Sequence, residues 1–215
     1  MDDPKFYSPL EEKINIVSHA TGLMLGIVAM VLLLKHAIEH GQGLHIVSFG
    51  VFGASLIILY AASVAYHSAT VAERRSRLRI LDHAAIYVLI AGTYTPFALV
   101  TLNGTTGWTL FGVAWGMAIA GITLKLYFTG RFKLLSTLMY VFMGWIMVFA
   151  IKPLAAGLPA EGLFWLFAGG VAYTLGAIIY GIKGVQLNHA IFHVFVLIGS
   201  ACHVMAVLFY VLPVG

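Results

Sequence analysis

Seven long apolar runs, separated by short polar breaks, constrain the fold of this chain more than any other feature. They cover residues 16–35, 44–66, 80–101, 107–127, 134–151, 162–182 and 187–212. The polar breaks between them are expected at 35–43, 73–79, 103–107, 129–133, 152–161 and 183–184. A helix needs about 20 apolar residues to cross the hydrocarbon core of a bilayer, and each run is close to that length. No alternation of apolar and polar residues competes with these runs, which argues against a β-barrel. We therefore predict an all-α polytopic membrane protein, a seven-transmembrane helix bundle that forms one domain over residues 1–215.

The composition agrees with lipid as the solvent and excludes several classes of protein. Of the 215 residues, 61% are hydrophobic and only 9% are charged, whereas an average soluble domain is about 25% charged. The net charge of +4 is too sparse for nucleic-acid binding. The single cysteine, Cys202, excludes a disulfide framework within the chain and a cysteine-rich zinc finger. The polar segment Met1 to Lys13 has no basic n-region, so we expect no cleavable signal peptide.

The distribution of basic residues predicts the orientation of the bundle. With seven spans, the N-terminus and the second, fourth and sixth loops share one side of the membrane. That side holds ten of the twelve basic residues, namely Lys5, Lys13, Arg74, Arg75, Arg77, Arg79, Lys125, Arg131, Lys133 and Lys183. The other side holds Lys35 and Lys152. Because Lys and Arg accumulate in cytoplasmic loops, we expect the N-terminus in the cytoplasm and the C-terminus outside.

Ionisable residues inside spans are the first candidates for function, because they are costly in lipid. We expect Asp82, at the start of the third span, to be the only acidic residue within a span. His67 ends the second span four residues after Ser63, and His189 and His193 open the seventh. The predicted orientation places His67, Asp82, His189 and His193, together with His19 near the start of the first span, in one layer on the cytoplasmic side of the membrane.

The spacing of the histidines suggests a metal site. His189 and His193 are four residues apart and therefore share one helical face, as in other metal-binding histidine pairs. With His67 they provide three ligands and leave a fourth position for water, which is the layout of catalytic zinc. Three imidazoles favour Zn²⁺, although other divalent metals suit them too. Asp82 is then a candidate to hydrogen-bond that water or to orient a histidine, and Ser63 to hold the water or a substrate oxygen. The alternative is that the pair serves only helix packing.

Other polar residues have structural interpretations. We expect His36, His40 and His45 to be solvated in an outside loop. His203 lies deeper in the seventh span, where it is either a hydrogen-bonded buried histidine or part of a pocket lining. The arginines between positions 74 and 79 are interpreted as a topology signal, with binding to anionic lipid headgroups as the alternative.

Small residues and a proline predict close packing and one helix irregularity. The pairs Gly22–Gly26 and Gly112–Gly116 have the spacing that allows helices to approach closely in lipid. Pro96, inside the third span, frees a backbone carbonyl and is expected to kink that helix.

The motifs occur in an order that resembles a known family. They are Glu-x-x-Asn-x-x-x-His (Glu12, Asn15, His19), Ser-x-x-x-His (Ser63, His67), Asp82 at the start of the third span, and His-x-x-x-His (His189, His193). Together with seven spans, this set resembles the hemolysin III family, the bacterial branch of the progestin and adipoQ receptor family. Residues 188–194 are similar to the corresponding segment of the adiponectin receptors, and alkaline ceramidases share the wider pattern. The resemblance covers essentially the whole chain.

The resemblance implies a zinc ion held by His67, His189 and His193 near the cytoplasmic face. Asp82 and Ser63 match the positions that hold the zinc-bound water. It also implies hydrolase-like chemistry, since ceramidase activity is reported for receptor relatives, and a location in the bacterial inner membrane.

Two departures leave the substrate open. The chain lacks the long cytoplasmic N-terminal region of the receptors, and His83 follows the aspartate where the receptors have an aromatic residue. We therefore consider three functions. The first is an intramembrane zinc hydrolase of a lipid amide or ester, with Asp82 as general base. The second is a receptor or regulator of lipid composition or fluidity in which zinc is structural. The third is a cytolysin or channel. The sequence argues against it, because the spans contain no polar stripe or ring of charges that would line a pore.

Overall fold

Helices make up nearly all of the chain in the computed structural model, which describes residues 5–128, 133–182 and 184–212. The α-helices are α1 (Pro9–His40), α2 (Gly43–Ser68), α3 (Ala72–Pro96), α4 (Gly104–Phe128), α5 (Lys133–Trp145), α6 (Ile151–Gly157), α7 (Ala160–Gly181) and α8 (Asn188–Ala206). A 3₁₀ segment, Ile146–Ala150, joins α5 to α6. Arg131 and Lys183, and the side chain of Lys133, which contributed to the predicted orientation, lie outside the described residues.

Seven of these segments are long and apolar enough to cross a membrane. They are Pro9–His40, Gly43–Ser68, Ala72–Leu102, Gly104–Tyr127, Leu134–Gly157, Ala160–Gly181 and Asn188–Val211. The predicted number, order and helical nature of the spans are confirmed. Most of the helices are longer than the apolar runs, because backbone hydrogen bonding continues through polar residues at the span ends.

Several of the predicted polar breaks are therefore wrong. Most of the expected break at 35–43 belongs to α1, and only Gly41 and Gln42 lie between α1 and α2. The expected break at 73–79 is the beginning of α3, and Lys152 lies in the short helix α6. Polar residues lower the hydropathy of a segment without ending its helix, so hydropathy alone places these boundaries too far inward.

The three histidines expected in an outside loop are helical instead. His36 lies in α1, where its Nε2 is 2.7 Å from the backbone oxygen of Leu212. His45 lies in the first turn of α2, and its Nδ1 accepts a hydrogen bond of 3.1 Å from the backbone N–H of Gln42. Both rings contact the ends of helices rather than only solvent.

The start of α1 follows from a local capping signal. The side chain of Ser8 accepts a hydrogen bond from the backbone N–H of Glu11 at 3.3 Å, and Pro9 occupies the first helical position. Serine satisfies a helix N-terminal donor, and proline there loses no hydrogen bond. The helix consequently begins before the apolar run and includes Glu12 in its first turn.

The spans close into a bundle in which the first and last are neighbours. Helix α1 packs against α2 and α8, α2 against α3, α3 against α4, and α7 against α8, while α5 contacts α3, α4 and α7. The third span is the most deeply enclosed of the seven described spans. It therefore places Asp82 in the interior of the bundle.

Pro96 marks a change in helical geometry within that central span. Helix α3 ends at Pro96 and continues as a π-helix over Phe97–Leu102. Proline has no N–H to donate to the carbonyl four residues earlier, so the regular α-helical pattern is interrupted at the expected position.

The two glycine pairs behave differently. A Cβ atom at Gly22 would overlap the ring of Tyr60, and one at Gly26 would contact Leu56, so this pair mediates close packing of α1 on α2. Among the residues that the structure describes, none has an atom within 4 Å of a Cβ placed at Gly112 or Gly116. The expectation of close packing at the second pair is therefore wrong for this chain, because that face of α4 points away from the bundle.

Candidate metal centre

Three buried histidines from two helices meet at one end of the bundle. His67 lies in the last turn of α2, whereas His189 and His193 lie in the first turns of α8. One nitrogen from each ring lies within 4.8 Å of the other two, and the Nε2 atoms of His67 and His189 are 3.1 Å apart. We call this group the histidine cluster, and the end of the bundle that holds it the histidine end.

The histidine cluster fits a zinc ion. Tetrahedral zinc has Zn–N distances of about 2.0–2.1 Å, which places two ligand nitrogens about 3.3 Å apart. The separation of 3.1 Å between the Nε2 atoms of His67 and His189 matches this value, and a ring nitrogen of His193 lies within 4.8 Å of the other two ligand atoms. Neutral imidazole nitrogens are common zinc ligands. Within the described part of the chain, the group comprises three residues and no fourth.

Asp82 lies beside Ser63 and outside the group of ligand atoms. The Ser63 side chain, one helical turn before His67, is adjacent to the Asp82 carboxyl group. Ser63 is only 1% exposed, and its hydroxyl makes no hydrogen bond of normal geometry to another described residue. Asp82 is not among the atoms that lie within 4.8 Å of one another. Its assignment and that of Ser63 as catalytic residues therefore stay predictions.

Helix α1 supplies further residues of the first motif to the site. The rings of His19 and His193 are stacked, with centroids 3.5 Å apart and an angle of 9° between them. Asn15 Nδ2 is 3.4 Å from Nδ1 of His67. Positions 12, 15 and 19 fall on one face of a helix, and that face is turned towards the histidine cluster.

The expectation that Asp82 is the only acidic residue within a span is wrong. Glu12 lies in the first turn of α1, and its Oε2 is 2.7 Å from Nδ1 of His67. The side chain of Glu12 is 16% exposed. The apolar run begins only at residue 16, so hydropathy does not include Glu12 in the span, but the capped helix starts at Pro9 and carries this carboxylate inward.

Arg75 is also more than a topology signal. It is 1% exposed, it forms an ion pair with Glu12, and its Nη1 is 3.2–3.3 Å from three backbone oxygens at the end of α2, those of Tyr66, His67 and Ala69. Arg77, two residues later, has a side chain that is 78% exposed and pairs with Glu73 at 2.6 Å. Arg77 therefore lies in solvent, whereas Arg75 is part of the interior at the histidine end.

The segment before α1 covers the histidine cluster, which sequence reasoning missed. The ring of Tyr7 stacks on His189 with centroids 4.6 Å apart. The backbone oxygen of Lys5 accepts hydrogen bonds from Arg75 Nε at 3.0 Å and from the hydroxyl of Tyr66 at 3.4 Å. Burial raises the pKa of the Tyr7 hydroxyl above its usual range, so this side chain is neutral. The available signal was the adjacent aromatic pair Phe6 and Tyr7 in an otherwise polar stretch.

His203 lies apart from the histidine cluster, deeper in α8. Its Nε2 is 3.2 Å from the backbone oxygen of Leu166, which agrees with a buried, hydrogen-bonded histidine. Next to it, Ser200 bonds to the hydroxyls of Tyr60 and Tyr173, each at 2.8 Å. This network links α2, α7 and α8 in the bundle interior.

Known proteins resemble the chain over nearly its whole length. A family model described as "Haemolysin-III related" matches residues 7–204. "Hemolysin-3 homolog" of Bacillus subtilis (strain 168) is 48% identical over 204 residues, which cover 95% of this chain and 96% of that protein. "Hemolysin-3" of Bacillus cereus is 47% identical, with 94% and 93% coverage. "Monocyte to macrophage differentiation factor" of Homo sapiens is 26% identical, with 92% and 83% coverage.

Proposed function

The chain belongs to the haemolysin III family of multi-pass bacterial membrane proteins, and from this premise we propose that it is an intramembrane zinc hydrolase of a lipid amide or ester. The observation that carries the proposal is the histidine cluster. Three buried imidazoles converge, and within the described residues no fourth protein ligand joins them. A zinc site with three protein ligands and an open position is typical of catalysis, whereas structural sites have four protein ligands.

The proposed chemistry divides between the metal and the protein. Zinc in such a site lowers the pKa of water and polarises a carbonyl group. Asp82, as a carboxylate, accepts the proton of the attacking water and returns it to the departing amine or alcohol. Ser63, adjacent to Asp82, donates a hydrogen bond to the substrate carbonyl oxygen or to the carboxylate. Both groups are buried, and hydrogen bonds are stronger in the protein interior than in bulk water.

The depth of the site favours a lipid as substrate. The histidine cluster lies at the ends of two spans, where a bilayer changes from hydrocarbon to headgroups. The amide or ester bond of a lipid lies at that same depth. We propose that this end faces the cytoplasm, because it is the side on which the basic residues accumulate, and that membrane lipids are the partners of this protein.

A ligand variant tests the metal and the activity together. Purified wild-type protein is expected to contain one zinc per chain and to hydrolyse a component of a mixed ceramide and phospholipid pool. His193→Ala is expected to lose both properties, because it removes one of three ligands. His40→Ala, at the exposed end of α1, is the matched control and retains both. Metal analysis and lipid mass spectrometry provide the measurements, and full hydrolysis by a metal-free His193→Ala protein contradicts the proposal.

A second variant separates metal binding from catalysis. Asp82→Asn keeps the size of the side chain but cannot accept a proton as a carboxylate does. We expect it to retain zinc while turnover falls about 10²–10⁴-fold, which is the usual contribution of a general base. An Asp82→Asn protein with wild-type turnover removes this residue from the proposed mechanism.

One observation supports a second candidate, a zinc-containing regulator of membrane lipid composition. Tyr7 stacks on His189 of the histidine cluster and Lys5 bonds to Arg75 beside it, so the site is covered, as expected for a structural metal. Wild-type protein that binds zinc but releases no lipid product supports this function over hydrolysis.

A further inference from the structure

The Glu12 carboxylate connects the ligand His67 to the buried Arg75. One oxygen, Oε2, is 2.7 Å from Nδ1 of His67. The other, Oε1, pairs with Nη2 of Arg75 and accepts a hydrogen bond of 3.1 Å from the backbone N–H of Tyr7. Both oxygens therefore have partners, and the carboxylate is held in one orientation.

This contact determines which nitrogen of His67 carries the proton. A carboxylate paired with arginine only accepts hydrogen bonds, so Nδ1 of His67 must be the donor. The second contact of Nδ1, with Asn15 Nδ2, is longer at 3.4 Å. In the neutral ring, Nε2 is then unprotonated, and Nε2 is the atom that lies 3.1 Å from His189 within the histidine cluster. His67 consequently presents a lone pair where a metal ion would bind.

Arg75 fixes both the carboxylate and the backbone of the same ligand. Its guanidinium group donates to Glu12 and also to the backbone oxygen of His67 at 3.3 Å. Its Nε donates a hydrogen bond of 3.0 Å to the backbone oxygen of Lys5. Arginine is always charged and has a rigid, planar set of donors. The ion pair thus connects the segment before α1, the start of α1, the end of α2 and the start of α3.

We propose that Glu12, held by Arg75, is a positioning residue that sets the tautomer and ring orientation of His67 for metal binding. The proposal rests on the proposed zinc site but not on its catalytic activity. Carboxylates that accept a hydrogen bond from a metal-binding histidine orient the ring and increase its basicity, and their loss weakens metal affinity about 10–100-fold. The positioning role of Glu12 follows from its contacts and not from the spacing or the burial of the three histidines.

The direct test compares zinc affinity in two glutamate variants. Glu12→Gln keeps the shape of the side chain but removes its charge, so the apparent zinc Kd is expected to rise about 10–100-fold. The matched control is Glu73→Gln, which makes the same chemical change in an exposed side chain at the same end of the bundle and should keep the wild-type Kd. Titration in competition with a chelator measures both values. The absorption spectrum of the Co²⁺-loaded protein should also change in Glu12→Gln only, because it reports ligand geometry.

The outcomes separate the two proposals. Equal zinc Kd values in wild type, Glu12→Gln and Glu73→Gln overturn the positioning role and leave the zinc site intact. Wild-type protein that binds no zinc overturns the proposed function and the positioning role with it. A zinc-loaded wild type without lipid hydrolysis affects only the catalytic proposal.

A measurement on the wild-type protein does not depend on how well Glu12→Gln folds. Nitrogen NMR of ¹⁵N-histidine-labelled protein distinguishes the two neutral tautomers of a ring. The His67 signals, assigned by their loss in His67→Asn, are expected to show a proton on Nδ1. A proton on Nε2 overturns the proposal, because that atom could not then bind the metal.

Discussion

Replacing Arg75 by methionine tests whether the buried ion pair stabilises the histidine end. Methionine retains an unbranched, flexible side chain, although a shorter one, and donates no hydrogen bond. The substitution removes the charge partner of Glu12, and it removes the donors for the backbone oxygens of Lys5, Tyr66, His67 and Ala69. Arg75 is 1% exposed, so water cannot readily replace the guanidinium group.

The expected loss of stability is large. Removing one partner of a buried ion pair typically costs about 3–5 kcal/mol, because the other charge stays buried without compensation. For a chain of this size, about 1 kcal/mol corresponds to about 2–4 °C in Tm. Arg75→Met is therefore expected to lower the Tm by about 6–20 °C. The matched control Arg77→Met removes a surface pair with Glu73, for which the cost is about 0–1 kcal/mol.

The chain contains a convenient reporter for this measurement. Cys202 is the single cysteine, it is free, and it is 8% exposed. A dye that becomes fluorescent on reaction with thiols follows its exposure during heating in detergent. If Arg75→Met and Arg77→Met unfold at the same temperature, the inferred contribution of the buried ion pair is wrong.

Three further predictions concern packing, metal and orientation. Gly22→Ala should destabilise the protein by about 1–3 kcal/mol through overpacking against Tyr60, whereas Gly112→Ala should be neutral or slightly stabilising; equal Tm values for the two contradict the packing of α1. Removing zinc with a chelator should lower stability by about 2.7 kcal/mol relative to protein at a zinc concentration of 100 times Kd, and an unchanged Tm speaks against a metal that binds the folded state. Alkaline phosphatase fused after residue 215 should be active and one fused near residue 70 inactive, and the reverse pattern contradicts the proposed orientation.

The spans and the proximity of the three histidines were predictable from local rules. The thickness of the hydrocarbon core sets the length of an apolar run, so each span is visible in its own stretch of sequence. Alternation of the spans then places the end of the second and the start of the seventh at the same end of the bundle. The spacing of four residues between His189 and His193 provides the common face.

The helix boundaries and the hydrogen-bond partners of the three histidines were not predictable in the same way. Hydropathy reports where lipid contacts the chain, whereas hydrogen bonding and capping decide where a helix begins. By hydropathy, Glu12 lies before the apolar run. It nevertheless belongs to the first turn of α1, because Ser8 and Pro9 start the helix earlier. Its contact with His67 depends on the packing of α1 beside α2.

Arg75 and Arg77 show most clearly what the sequence determined and what the tertiary structure decided. Both are arginines at the start of α3, and their shared effect on the charge distribution is a property of the sequence alone. At about 100° per residue, two positions apart on a helix are about 200° apart around its axis, so the two side chains point in nearly opposite directions. Which of them faces inward depends on how α3 is rotated in the bundle. That rotation is set by the packing of α3 against α2 and α4. It brings Arg75 into contact with Glu12 and the backbone of His67 and leaves Arg77 in solvent.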